Sequence, residues 1–245
     1  MVVLAVPYFM GDEMGDFEVP KPHDMVTPSL PDASPTERMA VLYGSVAEWV
    51  EQHEHPVVYA GDCVVIVGVL AGLQAGGIHP TLVFFDAHGD FHTWESSQSG
   101  FIGGMPLAMA TGRGEQTVVI GAGQTPLDDS SVVLVDARDL DRGEDVAVAA
   151  SGITVCPAEQ VGDAIPDVGP LYVHVDVDVV DPEDMPAVNY PAPGGPSLET
   201  VAAAVAALAS TGRVVAFSVS SWNPALPGSE VAAAATRRLA SPFLR

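Results

Sequence analysis

Short apolar segments rich in β-branched residues alternate along this chain with segments that repeat apolar residues at helical spacing. A strand that is apolar along its whole length is typical of a parallel sheet, in which both faces of each strand are buried. Helices between such strands cover the two faces of the sheet. The sequence therefore predicts an α/β fold with a central, mostly parallel sheet.

The two patterns give a map of predicted elements. Strands are predicted over residues 2–8, 56–60, 81–85, 117–121, 132–136, 153–155, 171–180 and 214–219. Helices are predicted over residues 35–52, 64–74, 105–111, 197–209 and 230–239, the first of them with Ser34 as its N-cap. Residues 11–35 follow neither pattern and are expected to form a long loop. Since no internal repeat or linker separates these elements, we expect a single domain over residues 1–245.

Polar residues follow several predicted strands at the points where the strands end. They occupy residues 62–63, 86–92, 136–141, 176–181 and 220–223. In sheets of this kind, binding sites lie outside the carboxyl ends of the strands. The coincidence of five such ends predicts a functional site at one edge of the sheet.

Two of these strand ends carry acids at a spacing of two residues. Asp86, His88 and Asp90 follow one apolar strand, and Asp176 and Asp178 lie on another. Because side chains alternate in an extended chain, we expect each set to point in one direction. An isolated Asp-x-His-x-Asp motif also occurs as a plain polar loop, but the second cluster favours a shared site.

The charge balance limits the partners of the chain. It carries 32 acidic and 9 basic residues, which gives a formal net charge of −23. Phosphate groups are bound by clustered Lys and Arg, so the sequence argues against nucleic acid and an anionic membrane surface. No apolar run approaches the roughly 20 residues that span a bilayer. Two cysteines offer no disulfide framework and the apolar start lacks a basic region, so we expect a cytoplasmic protein without a signal peptide.

A divalent metal site explains the two acidic clusters. Buried carboxylates without partners are too costly to leave uncompensated, and this chain has few basic residues to neutralise them. Four Asp and one His, mostly oxygen donors, suit Mn²⁺ or another divalent ion. Because this set exceeds what one ion needs, we expect two ions that share bridging carboxylates. A two-metal site predicts a bridging hydroxide as the nucleophile.

Six segments resemble, in the right order along the chain, segments of the ureohydrolase family of arginases, agmatinases and formimidoylglutamases. They are GD at 61–62, DAHGD at 86–90, SGFIGGMPLA at 99–108, ARDLDRGE at 137–144, HVDVDVVDP at 174–182 and WNPAL at 222–226. The resemblance implies a three-layer α/β/α fold, a dinuclear manganese centre and hydrolysis of a guanidino or amidino C–N bond. It also implies a small-molecule amidino substrate and a possible homo-oligomer.

The resemblance implies a role for each matched residue. The metal ligands would be Asp86, His88, Asp90, Asp176 and Asp178, with Asp86 and Asp176 bridging and Asp90 also orienting the hydroxide. On the substrate side, ARDLDRGE resembles the arginase segment that contacts the α-amino group. Asp141 would receive this group, Ser99 and His92 would lie near the α-carboxylate, and Asp139 and Glu144 would support them. His174 is expected to be a hydrogen-bonded core residue.

Cys63 stands where the family has its first metal ligand, a histidine. A thiolate is a softer ligand and favours Zn, Fe or Co over Mn. The alternative is a buried apolar cysteine with one metal held weakly or lost. A cysteine at this position resembles the branch of the family that hydrolyses Nω-hydroxyarginine.

Two further positions depart from the family pattern. Gly103 corresponds to the proton-shuttling histidine, so protonation of the leaving group would fall to Asp90, His92 or water. Ser221 corresponds to the glutamate that clamps the guanidinium, and a neutral hydroxyl lacks the charge-assisted pairing that this group prefers. A less basic leaving group, as in a hydroxyguanidine, needs a general acid less.

These features favour a dinuclear metal-dependent hydrolase of an arginine-like amino acid such as Nω-hydroxyarginine. Two alternatives stay open. One is a hydrolase for a formimidoylglutamate-type substrate, which the neutral Ser221 would suit. The other is a non-catalytic family member that binds metal or ligand, which the changes at Cys63, Gly103 and Ser221 would explain.

Overall fold

The computed structural model describes residues 2–15, 17, 19 and 21–244. Its strands are β1 Val2–Val6, β2 Tyr8–Phe9, β3 Asp12–Glu13, β4 Asp24–Met25, β5 Pro56–Ala60, β6 Thr81–Asp86, β7 Val132–Asp136, β8 Thr154–Cys156, β9 Leu171–Asp176 and β10 Val214–Ser220. Its α-helices are α1 Pro35–Glu51, α2 Val65–Ala75, α3 Pro106–Ala110, α4 Thr117–Ala122, α5 Glu144–Ala150, α6 Val161–Ala164, α7 Leu198–Ser210 and α8 Ser229–Ala240. Short 3₁₀ helices occupy Ile102–Gly104, Asp129–Ser131, Ala158–Gln160, Val177–Val179 and Ser241–Phe243.

Eight strands form one sheet in the order β4-β1-β5-β10-β9-β6-β7-β8, and every pair of neighbours in it is parallel. The register places the ends of the central strands level with one another. Asp86 on β6 faces Asp136 on β7, and Ser220 on β10 faces Asp176 on β9. The predicted parallel sheet is therefore confirmed, and its carboxyl ends form one edge.

Helices cover both faces of this sheet, which confirms the three-layer α/β/α fold. Side chains alternate along each strand between two apolar cores, so that Leu82 and Phe84 enter one core while Val83 and Phe85 enter the other. Helices α1 to α5 contribute to the first core, and α6 to α8 contribute to the second. Burial on both faces explains why the strand segments are apolar throughout.

Local sequence signals set the starts of the longer helices. Ser34 caps α1 by accepting a hydrogen bond from the Glu37 N–H, and the Glu37 carboxylate accepts one from the Ser34 N–H. Ser197 caps α7 in the same way through the Thr200 N–H. The predicted helix bounds agree with the structure to within one or two residues. The predicted loop over 11–35 contains the short strands β3 and β4.

The prediction of a strand over residues 117–121 is wrong, because this segment forms helix α4. Its Val-Val-Ile run favours a strand by local propensity, yet Ile120 is exposed while Val118 and Val119 are buried. A Cβ placed on Gly121 would lie 2.4 Å from the Ala40 Cβ, so α4 packs closely against α1. This contact between helices outweighs the local preference for a strand.

The predicted strand over residues 171–180 is too long. β9 ends at Asp176, and Val177–Val179 form a turn of 3₁₀ helix whose start is capped by the Asp176 carboxylate. Among the described residues, no helix is both long enough and apolar enough to cross a membrane.

Candidate metal centre and active site

A cavity of about 380 Å³ opens at the carboxyl edge of the sheet. It is lined by side chains from all five strand ends that the sequence singled out. All the predicted site residues line it, namely Cys63, Asp86, His88, Asp90, His92, Ser99, Asp139, Asp141, Asp176, Asp178 and Ser221. The predicted convergence of these residues is therefore found.

The reason given for the convergence needs correction. β6 ends at Asp86, so His88 and Asp90 lie in a bent segment rather than on an extended strand, and Asp90 has a left-handed φ of 50°. Asp178 likewise lies in the 3₁₀ turn after β9. Bends beyond the strand ends, not the alternation of an extended chain, bring these side chains together.

The acids of the two clusters are deeply buried beside one another. Burial, followed by the charge of Asp176, raises the pKa of Asp86 to about 6. Burial and the charge of Asp86 raise the pKa of Asp178 to about 6. Burial also raises the pKa values of Asp90 and Asp176, and neighbouring carboxylates add to both shifts. Each of the four carboxylates is thus harder to ionise because it is buried next to at least one other.

His88 joins the two clusters. Its Nδ1 lies 3.2 Å from Asp86 Oδ1 and 3.3 Å from Asp178 Oδ2. Burial by itself would lower the pKa of His88, but hydrogen bonds to Asp178 and Asp86 raise it to about 12. Ligand atoms of these three residues all lie within 4.8 Å of one another, a spacing that one divalent ion could bridge.

The donor set fits a divalent cation. Asp90 Oδ2 is buried and has no hydrogen-bond partner within the described part of the chain. Such an atom is costly unless a cation compensates it. A positive charge among these carboxylates would also offset the burial and the mutual repulsion that raise their pKa values. Asp86, His88, Asp90, Asp176 and Asp178 could therefore hold a metal.

Cys63 borders the same group of carboxylates. Its side chain is buried, and its Sγ lies 3.5 Å from the Gly103 carbonyl oxygen. Burial, followed by the charges of Asp90, Asp176 and Asp86, raises the pKa of the thiol. A bound cation would oppose these effects, so Cys63 could act as a thiolate ligand only together with the metal.

A buried hydrogen-bond network holds the chain next to Cys63. Asp62 accepts hydrogen bonds from the Tyr43 hydroxyl, the Met10 N–H and the Val64 N–H. Burial raises the pKa of Asp62 to about 6, although these hydrogen bonds oppose the shift. The network joins α1, the β2–β3 hairpin and the start of α2. It thereby fixes the direction in which Cys63 projects.

Glu144 supports the bent segment after β6. Its Oε1 accepts a hydrogen bond of 2.9 Å from the Phe91 N–H, and its Oε2 accepts one of 3.2 Å from the Asp141 N–H. A Cβ on Gly89 would lie 2.7 Å from Glu144 Cδ, so a residue without a side chain is required there. The buried carboxylate thus ties residues 86–92 to residues 137–144.

The predicted substrate residues lie at the mouth of the cavity. Asp139, Asp141 and Ser99 are exposed, whereas His92 is buried. His92 Nε2 lies 3.3 Å from Asp141 Oδ2, and its Nδ1 lies 3.0 Å from the Ser96 Oγ. The structure therefore brings the imidazole and the Asp141 carboxylate together at the rim, above the buried acids.

Comparison with known proteins agrees with this arrangement. The arginase family profile matches residues 8–244. The chain is 31% identical over 198 residues to an arginase of Bacillus subtilis, a match that covers 76% of this chain and 67% of that protein. It is 32% identical over 183 residues to an N(omega)-hydroxy-L-arginine amidinohydrolase of Streptomyces lavendulae, which covers 72% of this chain and 64% of that protein.

The chain belongs to the arginase family. The resemblance to ureohydrolases is thus confirmed. The homologues in this family are hydrolases that act on amidino C–N bonds, and the family is one of dinuclear metal enzymes. The aligned part of the chain spans about two thirds of the length of these two relatives.

Solved structures of the family share the fold. An arginase of Entamoeba histolytica, solved in complex with L-ornithine, superposes with a TM-score of 0.85 at 21% identity and covers 99% of this chain and 97% of its own. A formimidoylglutamase of Bacillus subtilis superposes with a TM-score of 0.79 at 12% identity, covering 99% of this chain and 85% of its own. At these identities the likeness concerns the fold alone.

Ser221 and Gly103, where the sequence is expected to depart from the family pattern, both lie at the cavity. The Ser221 hydroxyl donates a hydrogen bond to Asp176 Oδ2, and Ser221 has a left-handed φ of 77°. Its hydroxyl therefore supports a candidate metal ligand. At Gly103, a Cβ would lie 2.3 Å from Phe101 Cε1. The Phe101 ring thus occupies the space into which a side chain at position 103 would project.

His174 is the core residue that we expected. It is fully buried, its Nδ1 lies 2.7 Å from Ser218 Oγ, and its ring stacks on Phe84 with 4.9 Å between centroids. Burial lowers the pKa of His174 to about 3, so the ring is neutral.

Sequence reasoning missed Arg138. Its guanidinium pairs with Asp136 and donates hydrogen bonds to the carbonyl oxygens of Val179 and Asp178, at 2.9 and 3.1 Å. It also fills the space beside Gly195, where a Cβ would lie 2.6 Å from Arg138 Cζ. Arg138 therefore joins the end of β7 to the turn that carries Asp178. The sequence signal for Arg138 is a basic residue two positions after a strand, in a chain with only 9 Lys and Arg residues.

Proposed function

We propose that this chain is a divalent-metal-dependent hydrolase that cleaves the amidino C–N bond of a small cationic substrate, such as an Nω-hydroxyarginine-like amino acid. The observation that carries the proposal is the grouping of six candidate ligands, Cys63, Asp86, His88, Asp90, Asp176 and Asp178, in one cavity. The buried Asp90 Oδ2, which lacks a hydrogen-bond partner among the described residues, supports a cation there.

The named carboxylates, His88 and Cys63 would hold the metal. When bound, divalent ions would supply Lewis acidity and lower the pKa of water, so that a nucleophile is available at neutral pH. Mn²⁺ suits the oxygen donors, whereas the Cys63 thiolate favours Zn, Fe or Co. Elemental analysis of the purified chain therefore has to determine both the number of bound ions and the identity of the metal.

Asp90 and His92 are the candidates for handling protons. In the overall reaction, the oxygen of one water forms a bond to the amidino carbon and the C–N bond to the leaving amine breaks. The Asp90 carboxylate would orient this water and accept its proton. His92 Nε2 or the solvent would deliver a proton to the departing nitrogen. His92 reaches the rim, where Asp141 lies 3.3 Å from its Nε2.

The charges around the cavity favour a cationic substrate. Eight Asp or Glu residues line the cavity, namely Asp62, Asp86, Asp90, Asp139, Asp141, Glu144, Asp176 and Asp178. No Lys or Arg is found among the described residues that line it. Bound divalent ions would neutralise the buried carboxylates that hold them, so the acids outside that set, among them Asp139 and Asp141, are the ones that favour a cationic group on the substrate. The neutral Ser221 keeps a formimidoylglutamate-type substrate as the alternative.

Turnover of a matched panel tests the proposal. The purified chain is supplied with Mn²⁺, Zn²⁺, Fe²⁺ or Co²⁺ in separate samples, and bound metal is measured by elemental analysis. Each sample is then given Nω-hydroxyarginine, arginine, agmatine or formimidoylglutamate, and the released amine or amino acid is quantified. We expect about two ions per chain, the family number, and ornithine released from Nω-hydroxyarginine faster than from arginine.

The outcomes separate the alternatives. Turnover of formimidoylglutamate alone would replace the proposed substrate class and leave the metal chemistry intact. Two bound ions without turnover of any amidine would contradict the hydrolase and favour a binding protein. No bound metal in any sample would contradict both.

A further inference from the structure

Three aromatic side chains from distant parts of the chain meet at the cavity. Phe9 comes from the β2–β3 hairpin, Phe101 from the segment before α3, and Tyr190 from the loop after β9. The Phe101 ring centroid lies 6.4 Å from that of Phe9 and 5.0 Å from that of Tyr190. All three residues line the same cavity as the candidate metal ligands.

Phe101 is held in place by its surroundings. Its N–H donates a hydrogen bond of 3.2 Å to Ser99 Oγ, and the Gly100 N–H donates one of 3.0 Å to Ser97 Oγ. Its ring lies where a side chain at position 103 would project. A larger residue at position 103 would therefore displace the ring. The observed position of the Phe101 ring thus requires glycine at position 103.

The loop that carries Tyr190 is also fixed. The neighbouring Asn189 accepts a hydrogen bond of 2.8 Å from Asn223 Nδ2, and Val188 pairs with Trp222 in an isolated bridge. Phe101 and Tyr190, which together with Phe9 are here called the aromatic wall, are thus each held by contacts of their own backbone segments. Tyr190 remains half-exposed and forms the outer end of the aromatic wall.

The aromatic wall shares the cavity with acidic side chains, and no Lys or Arg is found among the described residues that line it. The face of an aromatic ring carries partial negative charge and attracts cations, with planar guanidinium-type groups able to stack on it. A ligand that suits both surfaces is a cation with delocalised charge. A compact ammonium satisfies the carboxylates but gains less from a stacking surface.

We propose that Phe101, with Phe9 and Tyr190 beside it, is a specificity-determining wall that binds the planar amidino cation of the substrate. This inference rests on the proposed function, since it assigns a recognition surface to the same site. It supplies a cation-binding contact in a chain whose Ser221 hydroxyl is engaged with Asp176.

Two ligands that differ only in the shape of their cation test whether the aromatic wall recognises a planar cation. Butylguanidinium and butylammonium have the same alkyl chain and charge, but only the first has a planar, delocalised cation. Their dissociation constants are measured by calorimetry on the full chain supplied with Mn²⁺, and release of butylamine is followed in the same samples. We expect Phe101→Leu to weaken binding of butylguanidinium by about five- to thirty-fold, with a smaller change for butylammonium.

Two variants and one control complete the test. Phe101→Tyr keeps the ring and is expected to retain the preference for butylguanidinium. Tyr190→Leu removes the neighbouring ring and gives a second, independent measurement if Phe101→Leu does not fold. Trp94→Leu removes a partly exposed aromatic residue that does not line the cavity, and it should leave both dissociation constants unchanged.

An equal loss for both ligands, or no loss for either in both leucine variants, would overturn the inference. If the guanidinium preference depends on Phe101 but no butylamine is released, the aromatic wall is kept, and the absence of turnover of Nω-hydroxyarginine and arginine in the same samples would contradict the proposed function. If butylamine is released but the preference for butylguanidinium over butylammonium does not depend on Phe101 or Tyr190, the proposed function stands and the role of the aromatic wall is wrong.

Discussion

The floor and the mouth of the cavity are built differently. The floor consists of buried acids at the ends of β6 and β9 and in the bends directly beyond them, and neighbouring strands fix the register of both strands in the sheet. The mouth consists of exposed Asp139, Asp141 and Ser99 on loops. Under the proposed function, we therefore expect the metal ligands to lie on the strand ends, whereas the contacts to the amino-acid end of the substrate would lie on the loops.

The largest effect is expected from a change in the floor. Asp178→Asn removes a charge from the group in which Asp86, His88 and Asp178 converge. Metal affinity and kcat should both fall by more than about 100-fold, because even residues outside the direct ligand set cost 10- to 100-fold. Elemental analysis and turnover measure the loss. The matched control Asp163→Asn, at an exposed site on α6, should bind metal normally; equal behaviour of the two variants would contradict the assignment.

Substitution of Arg138 tests the connection between the end of β7 and the turn that carries Asp178. Arg138→Met leaves Asp136 and the carbonyl oxygens of Asp178, Val179 and Ala192 without their cationic donor. We expect a loss of about 2–3 kcal/mol in the free energy of unfolding, measured by urea titration. Arg113→Met breaks a more exposed pair with Asp129 and should cost about 1 kcal/mol or less. A reversed order would show that Arg138 does not hold the two strand ends together.

Cys63→His tests whether the floor selects its metal. A neutral imidazole in place of the thiolate should shift the preference between Mn²⁺ and Zn²⁺ toward Mn²⁺ by about tenfold or more. Competition between the two ions, followed by elemental analysis, measures the shift. Cys156→Ser, at a buried cysteine away from the cavity, should leave the preference unchanged. An unchanged ratio in Cys63→His would mean that position 63 is not a ligand.

The smallest effect is expected at the mouth. Asp141→Asn should raise KM for arginine-like amino acids about five- to tenfold with little change in kcat, because an exposed carboxylate contributes binding in high dielectric. Agmatine lacks only the α-carboxylate and keeps the amino group, so its KM should rise by a similar factor if Asp141 contacts the amino group. A fall in kcat as large as that of Asp178→Asn would erase the distinction between floor and mouth.

The sequence predicts most of the floor, for a physical reason. Parallel strands end at one edge, so the sequence predicts acids at the ends of two apolar strands on the same edge, and the neighbouring positions of β6 and β9 in the sheet bring them together. The reason assigned to Asp178 was nevertheless wrong, since it depends on a 3₁₀ turn that local spacing does not reveal. Helix α4 was mistaken for a strand because its contact with Ala40 is remote in sequence.

The sequence predicts less of the aromatic wall and of the residues that hold the strand ends together. Arg138 and the Phe101 ring act through segments about 40 to 90 residues away, and no local pattern marks such contacts. The resemblance to the family supplied the roles of Asp141, Ser99 and Asp139, which remain proposals. The single domain over residues 1–245 and the homo-oligomer also stay predictions.

The contact between Gly89 and Glu144 has a consequence for protein engineering. Residues 137–144 form the natural segment to exchange when a different substrate is wanted, since they carry Asp139 and Asp141. A transplanted segment without an acid of the same length at position 144 would leave the Phe91 N–H unsatisfied and a void beside Gly89. Libraries at this site should therefore vary the two exposed acids while keeping Glu144 and Gly89 as an inherited pair.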